Sequence, residues 1–189
     1  TRKESSAASD VYKRQLFLVA VALSGCGNIA AVKSFNTQFA SPESGETARL
    51  RVISDGMVRG VPGLECVDWY SPGAGVIVVP NETFAQRNSE HLGMPGGKPV
   101  PAGWASSEVK VAAGKPLTLT FLDGGRAVSY NQKSTCLGMF TFTPKAGADY
   151  ELTLHGYNAC GVEFNRIDGA APEPVKAAKA DSVSYTHLT

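Results

Sequence analysis

The sequence predicts an all-β protein, an antiparallel β-sandwich of about seven strands, with a small β-barrel as the alternative. Two observations carry this prediction. Segments in which apolar and polar residues alternate recur through residues 46–168, and a period of two is typical of strands with one buried face. Clusters of Gly, Pro, Asp and Ser separate these segments, and no stretch there keeps a helical period. The pattern favours an Ig-like or transthyretin-like sandwich.

Seven segments are the predicted strands. The first shows the rule, because Ala48 and Leu50 alternate with Arg49 and Arg51. The second is a continuous apolar run, which is typical of a short buried strand. In chain order the segments are TARLRVIS, GVIVVP, SEVKVA, LTLTFL, GMFTFTP, YELTLH and CGVEFNRI.

The stretch FTPKAGADYEL predicts a β-hairpin. Two alternating strands flank a short loop that contains Pro144 and Gly147, residues that favour tight turns. We therefore expect the strands on either side of this loop to be hydrogen-bonded neighbours.

An apolar run near the start of the chain, LFLVAVALSGCGN, has a different character. Leu16 to Leu23 are all apolar, and Lys13 and Arg14 precede them. The run is too short for a membrane span, which needs about 20 residues. A basic, then apolar, then small-residue order is instead the layout of a secretory signal, and a buried strand is the alternative.

Leu23-Ser24-Gly25-Cys26 resembles the lipobox of bacterial lipoproteins. The resemblance implies cleavage before Cys26 and attachment of a diacylglycerol to its thiol. Gly27 and Asn28 follow, without the aspartate that favours inner-membrane retention in that class. The implied location is therefore the periplasmic face of the outer membrane, in the manner of small Gram-negative lipoproteins with a β domain.

The organisation of the chain follows from these assignments. The segment after Cys26 lacks periodicity, and about 19 flexible residues there would reach roughly 25 Å. Sequence at both ends resembles adaptor or assembly-junction sequence and stands outside the fold prediction, together with Lys13 and Arg14. We expect such sequence at 1–15 and 181–189, a partial signal peptide at 16–25, a tether at 26–45, the sandwich at 46–168 and a disordered tail at 169–180.

The charge balance excludes nucleic acid as a partner. The chain has 18 Lys and Arg residues and 17 Asp and Glu residues. Four of these basic residues and three of the acidic ones lie in 1–15 and 181–189, so 14 basic and 14 acidic residues remain without these segments. No long run of one sign occurs, whereas nucleic-acid binding depends on clustered basic residues. The expected membrane contact is therefore through the N-terminal lipid alone.

Export to an oxidising compartment makes a disulfide the expected state of two cysteines. Cys136 and Cys160 share parity with core residues, and both fall at the same end of the predicted hairpin. A plain meander would separate their α-carbons by about 9–10 Å, too far for a bridge, but strand ends are less regular. We predict Cys136–Cys160, with a bridge from Cys66 to either one, or no bridge, as the alternatives.

No catalytic, metal or cofactor motif is present in the sequence, so we expect neither an enzyme nor a bound cofactor. His155 lies on the polar face of a strand and is interpreted as solvated. The longest segment without strand signal, Thr83 to Trp104, is the candidate binding loop, and His91 and Trp104 are its candidate residues. The alternative for Trp104 is packing against the sandwich.

We therefore expect a lipid-anchored, non-enzymatic binding or envelope-structural module whose partner is an envelope protein or a glycan. An inhibitor of a cell-wall-degrading enzyme is one alternative. A hydrolase is another, and it predicts a deep pocket in which at least two residues of a small set converge. That set is Asp68, Glu90, His91 and Asp123.

Overall fold

The chain forms two packed β-sheets in this computed structural model, which describes residues 29–80, 90–97, 99–156 and 159–182. Neither sheet closes into a barrel within these ranges, so the sandwich is confirmed and the barrel alternative is wrong. The predicted leader and Cys26 lie outside the described residues.

One short helix precedes the strands in the described ranges. The elements are α1 (Ile29–Ser34), β1 (Thr47–Ser54), β2 (Met57–Pro62), β3 (Gly75–Val78), β4 (Ala105–Ala112), β5 (Leu117–Leu122), β6 (Arg126–Ser129), β7 (Gln132–Ser134), β8 (Leu137–Phe142), β9 (Asp149–His155), β10 (Gly161–Arg166), β11 (Glu173–Pro174) and β12 (Ala178–Lys179).

The first sheet has the strand order β11-β10-β9-β1-β4, and the second sheet has the order β12-β8-β5-β2-β3. Strands β6 and β7 pair only with each other in the described part of the chain. Neighbouring strands are antiparallel except β1 and β9, which run parallel. All seven predicted strands are present, as β1, β3, β4, β5, β8, β9 and β10.

The predicted hairpin around Pro144 and Gly147 is wrong. Strand β8 belongs to the second sheet and β9 to the first, so residues 143–148 carry the chain across the sandwich. Strand β9 pairs with β1, where Leu152 lies opposite Val52, and with β10. Short loops that contain Pro and Gly occur both in hairpins and in arches that connect two sheets. The composition of this loop therefore does not distinguish a hairpin from an arch.

The core lies between the two sheets and consists of the inward-facing residues of both. On β1 and β9, Leu50, Val52, Leu152 and Leu154 are fully buried. Phe142 packs edge-on against Phe164 across the sandwich, with ring centroids 4.7 Å apart. The alternating pattern therefore identified the buried face of these strands correctly.

The predicted flexible tether is wrong from residue 29 onward, because the segment is folded onto the second sheet. Residues 37–39 pair with Val76 at the free edge of β3, and Phe39 is buried in the core. A Cβ at Gly60 would overlap the Phe39 ring, so β2 carries glycine where this ring enters. Gly60, within β2, and Gly63, just after it, interrupt the alternation of apolar and polar residues, so the sequence did not predict this strand.

The predicted disordered tail at 169–180 is wrong as well. Strand β11 pairs with β10, and β12 pairs with β8, so the segment adds one short strand to the edge of each sheet. Ala180 is buried, and Ser182 forms a bridge with Val67. The Ala- and Pro-rich composition has no period, but the open edges of β8 and β10 supply hydrogen-bond partners for its backbone.

Candidate functional site

A cleft of about 680 Å³ opens at one end of the sandwich, a size within the usual range for ligand sites. One wall carries an aromatic residue and a histidine, the floor carries two carboxylates, and a guanidinium lies at the rim. The lining residues are Asp55, Ala102, Gly103, Trp104, Asp123, Gly124, Gly125, Arg126, His155 and Ala159.

The strand directions bring these residues together. Asp55 follows β1, His155 ends β9, and Trp104 precedes β4 at the same end of the first sheet. Asp123 follows β5 at the corresponding end of the second sheet. Four loops of distant sequence position therefore meet over the end of the core.

Both carboxylates at the floor of the cleft are fixed by backbone N–H groups. The N–H of Gly156 donates to the two oxygens of Asp55 at 2.9 and 3.0 Å. The N–H of Cys136 donates to Oδ1 of Asp123 at 2.8 Å. A Cβ at Gly156 would overlap the Asp123 side chain, so the two carboxylates flank a position where only glycine fits without movement.

Trp104 and His155 form the aromatic wall. Their ring centroids are 6.3 Å apart with an interplanar angle of 37°, and both side chains are half-buried. The His155 ring lies over Gly161, its cross-strand neighbour, at the place where a Cβ would be. The interpretation of His155 as a solvated residue is therefore wrong.

A disulfide between Cys136 and Cys160 ties the two sheets together beside the cleft, with α-carbons 5.6 Å apart. The predicted pairing is confirmed, and Cys66 is a free thiol. The predicted core-facing position holds for Cys136 but not for Cys160, which is exposed like its parity partner Val162. Strand β10 extends beyond the core at this end. A residue that alternates in step with core residues is therefore not necessarily buried.

His91 lies apart from the cleft, on a segment that covers the outer face of the first sheet. Arg51 donates to three carbonyl oxygens of this segment, those of Met94, Pro95 and Gly96. A carboxylate oxygen of Glu108 accepts the N–H of Leu92. This part of the predicted binding loop is therefore bound to the sheet, although His91 itself is exposed. Of the two candidate residues, only Trp104 lines the cleft.

The residues that the hydrolase alternative requires do not converge. Asp123 lines the cleft, whereas Asp68, Glu90 and His91 do not. In the ranges that the structure describes, no group of three or more His, Cys, Asp or Glu could hold a metal ion.

A second aromatic group lies on the outer face of the second sheet. Phe35 and Trp69 cover the Arg59 guanidinium, each ring centroid 3.9 Å from its central carbon. Burial lowers the pKa of Arg59 to about 10, and its Nη1 donates to Ser34 Oγ at 2.6 Å. Trp69 therefore has a packing role against Arg59, and Arg59 fastens the N-terminal segment to the sheet through Phe35 and Ser34.

No protein-family model matches this chain, and a search of curated proteins finds no match either. None of the described helical residues form a helix that is long and apolar enough to cross a bilayer.

The sequence named Trp104 and Asp123 but not the other residues of the cleft. Neither period nor spacing links Asp55, Arg126 and His155 in the sequence. The available signal was that Asp55, Asp123 and His155 each stand at a strand end. That signal locates a site only when the sheet order is known.

Proposed function

We propose that the chain is a lipid-anchored, non-enzymatic binding module on the periplasmic face of the outer membrane, with an envelope protein or a glycan as its ligand. The observation that carries the binding role is the cleft, in which Trp104 and His155 stand over two positioned carboxylates. Aromatic side chains with a few fixed polar groups are typical of binding sites.

Support for the anchor comes from Leu23-Ser24-Gly25-Cys26 and its resemblance to a lipobox. Residue 37, the first whose backbone pairs with a strand in the described ranges, is eleven positions after Cys26. A chain of that length spans at most about 40 Å. A lipid on Cys26 would therefore keep the sandwich near the bilayer.

The roles of the carboxylates favour binding over catalysis. Asp55 and Asp123 each accept a backbone N–H, which gives them a structural role in the loops at this end of the sandwich. A hydrolase with an unrecognised site is the alternative, and Asp123 is the one residue of its predicted set that lines the cleft. Asp123→Asn separates the two: it would abolish turnover by a hydrolase, whereas a binding module retains its ligand.

A pull-down from envelope extract tests the binding role. We expect the lipidated protein to retain a ligand that Trp104→Ala loses. Tyr70→Ala is the matched control, since Tyr70 is an exposed aromatic residue outside the cleft. Equal recovery with wild type and Trp104→Ala would remove the cleft from the proposal.

A further inference from the structure

The two-stranded ribbon β6–β7 stands out because it buries almost nothing of itself. Every residue from Arg126 to Ser134 is exposed, and the ribbon joins neither sheet in the described structure. Its base is held where the N–H of Asp123 donates to the carbonyl oxygen of Cys136 at 3.2 Å. An isolated two-stranded hairpin is marginally stable in water, so this element gains little from being ordered within the chain.

The apolar residues of the ribbon face solvent. Tyr130 at the tip is 100% exposed and Val128 is 51% exposed, while Leu137, just after the ribbon, is 65% exposed. Val162, beside the Cys136–Cys160 bridge, is 60% exposed. These four residues lie on the ribbon or next to the disulfide at its base, and exposed apolar patches are typical of interaction surfaces.

The charges of the ribbon are all positive. Arg126 and Lys133 are its ionisable groups apart from Tyr130, and the sequence from Gly124 to Thr135 contains no Asp or Glu. Arg126 also lines the cleft together with Gly124 and Gly125. The ribbon and the cleft therefore form one continuous surface, basic on the ribbon and acidic at the cleft floor.

We infer that this ribbon docks an extended, acidic polypeptide segment of a partner protein, which pairs along an open ribbon edge. Both outer edges present unpaired backbone groups within the described structure, and an added strand satisfies them. Carboxylates of the segment meet Arg126 and Lys133, and an apolar residue covers Tyr130. The inference rests on the proposed binding function and names the class of its partner.

A flat anionic bilayer fits this surface less well than a polypeptide does. Lipid headgroups would meet the basic ribbon, but they would also face the carboxylates of Asp55 and Asp123 in the cleft beside it. An extended chain can follow the ribbon edge and still turn a different side chain into the cleft.

A selection from a random peptide library displayed on phage tests this, with the full chain carrying Cys26→Ala as the target. We expect enriched peptides to be acidic and to bind roughly tenfold more weakly to Tyr130→Ser and to the double variant Arg126→Ser/Lys133→Ser, as for loss of a hot-spot contact. The matched controls are Tyr70→Ser and Lys115→Ser/Lys145→Ser, which remove exposed residues outside the ribbon and keep binding.

Peptides that are neutral or basic, or that bind the ribbon variants as well as wild type, would overturn the inference, as would a library with no enrichment. Peptides whose binding is weakened by Trp104→Ala but not by the ribbon variants would support the proposed function and overturn the inference about the ribbon. Two other outcomes also overturn it: ribbon-dependent binding to phosphatidylglycerol vesicles, or a dimer that Tyr130→Ser dissolves. Unfolding transitions of the variants establish that each remains folded.

Discussion

Arg51 on β1 and Glu108 on β4 face each other across the first sheet, with Nη2 of the arginine 2.7 Å from Oε1 of the glutamate. Glu151 on β9 binds the same guanidinium from the other side at 2.9 Å. All three side chains are more than nine-tenths buried beneath residues 90–96. This ion network fastens the covering segment, because Arg51 and Glu108 also bind its backbone.

Loss of the Arg51 guanidinium should destabilise the domain strongly. Arg51→Met leaves the Glu108 and Glu151 carboxylates buried without a cation, which costs about 3–5 kcal/mol of unfolding free energy. Urea denaturation at neutral pH measures this. Arg166→Met is the control, because Arg166 and Asp168 form a pair whose side chains are 36% and 21% exposed, and its loss should cost less. Equal losses in the two variants would contradict the account.

The same network predicts acid sensitivity. Burial works against ionisation of Glu108, but hydrogen bonds from the N–H of Leu92, from the Arg51 side chain and from the N–H of Met94 outweigh it and lower its pKa below 4.5. Because the folded pKa lies below the unfolded one, this stabilisation is present above the unfolded value and is lost as pH falls through the folded value. Glu108→Gln should flatten the decline of unfolding free energy below about pH 4.5, measured by urea titrations at successive pH values. An unchanged slope would be evidence against this role.

The Cys136–Cys160 bridge should stabilise the domain by about 3 kcal/mol, as expected for a loop of this length. We expect Cys136→Ala/Cys160→Ala to lower the melting temperature, with faster amide exchange around Gly156. Reductant should lower the melting temperature of wild type but not that of this double variant. Cys66→Ala is the control, since that thiol is free. A melting temperature indifferent to reductant in wild type would refute the stabilising role.

Gly161→Ala should distort the cleft without changing a lining residue. A methyl group there overlaps the His155 ring and forces it away from its place beside Trp104. NMR shifts of the two rings would report the movement. Gly138→Ala on β8 is the matched control, because its Cβ would meet only Phe121 at 3.8 Å, an ordinary contact. Unmoved His155 signals in Gly161→Ala would show that the ring is placed differently.

The period-two pattern predicted the sandwich because both inner faces follow it, as in Leu50 and Val52. It did not predict that Arg51 on the opposite face would be buried, since the covering segment has no period of its own. The pattern also did not predict the order of the strands in the sheets, because the parallel pairing of β1 with β9 depends on contacts between residues about a hundred positions apart. The cleft depends on that order, so the sequence named Trp104 and Asp123 but could not place them in one site.

The state of Cys26 is the most direct test of the proposal as a whole. Intact-mass analysis of protein purified from the membranes of a Gram-negative host should give a chain that begins at Cys26 and exceeds the polypeptide mass by the attached acyl groups. Cys26→Ala should leave the membrane fraction and show no added mass. A wild-type mass equal to the bare polypeptide, with residues 16–25 still attached, would contradict the lipid anchor.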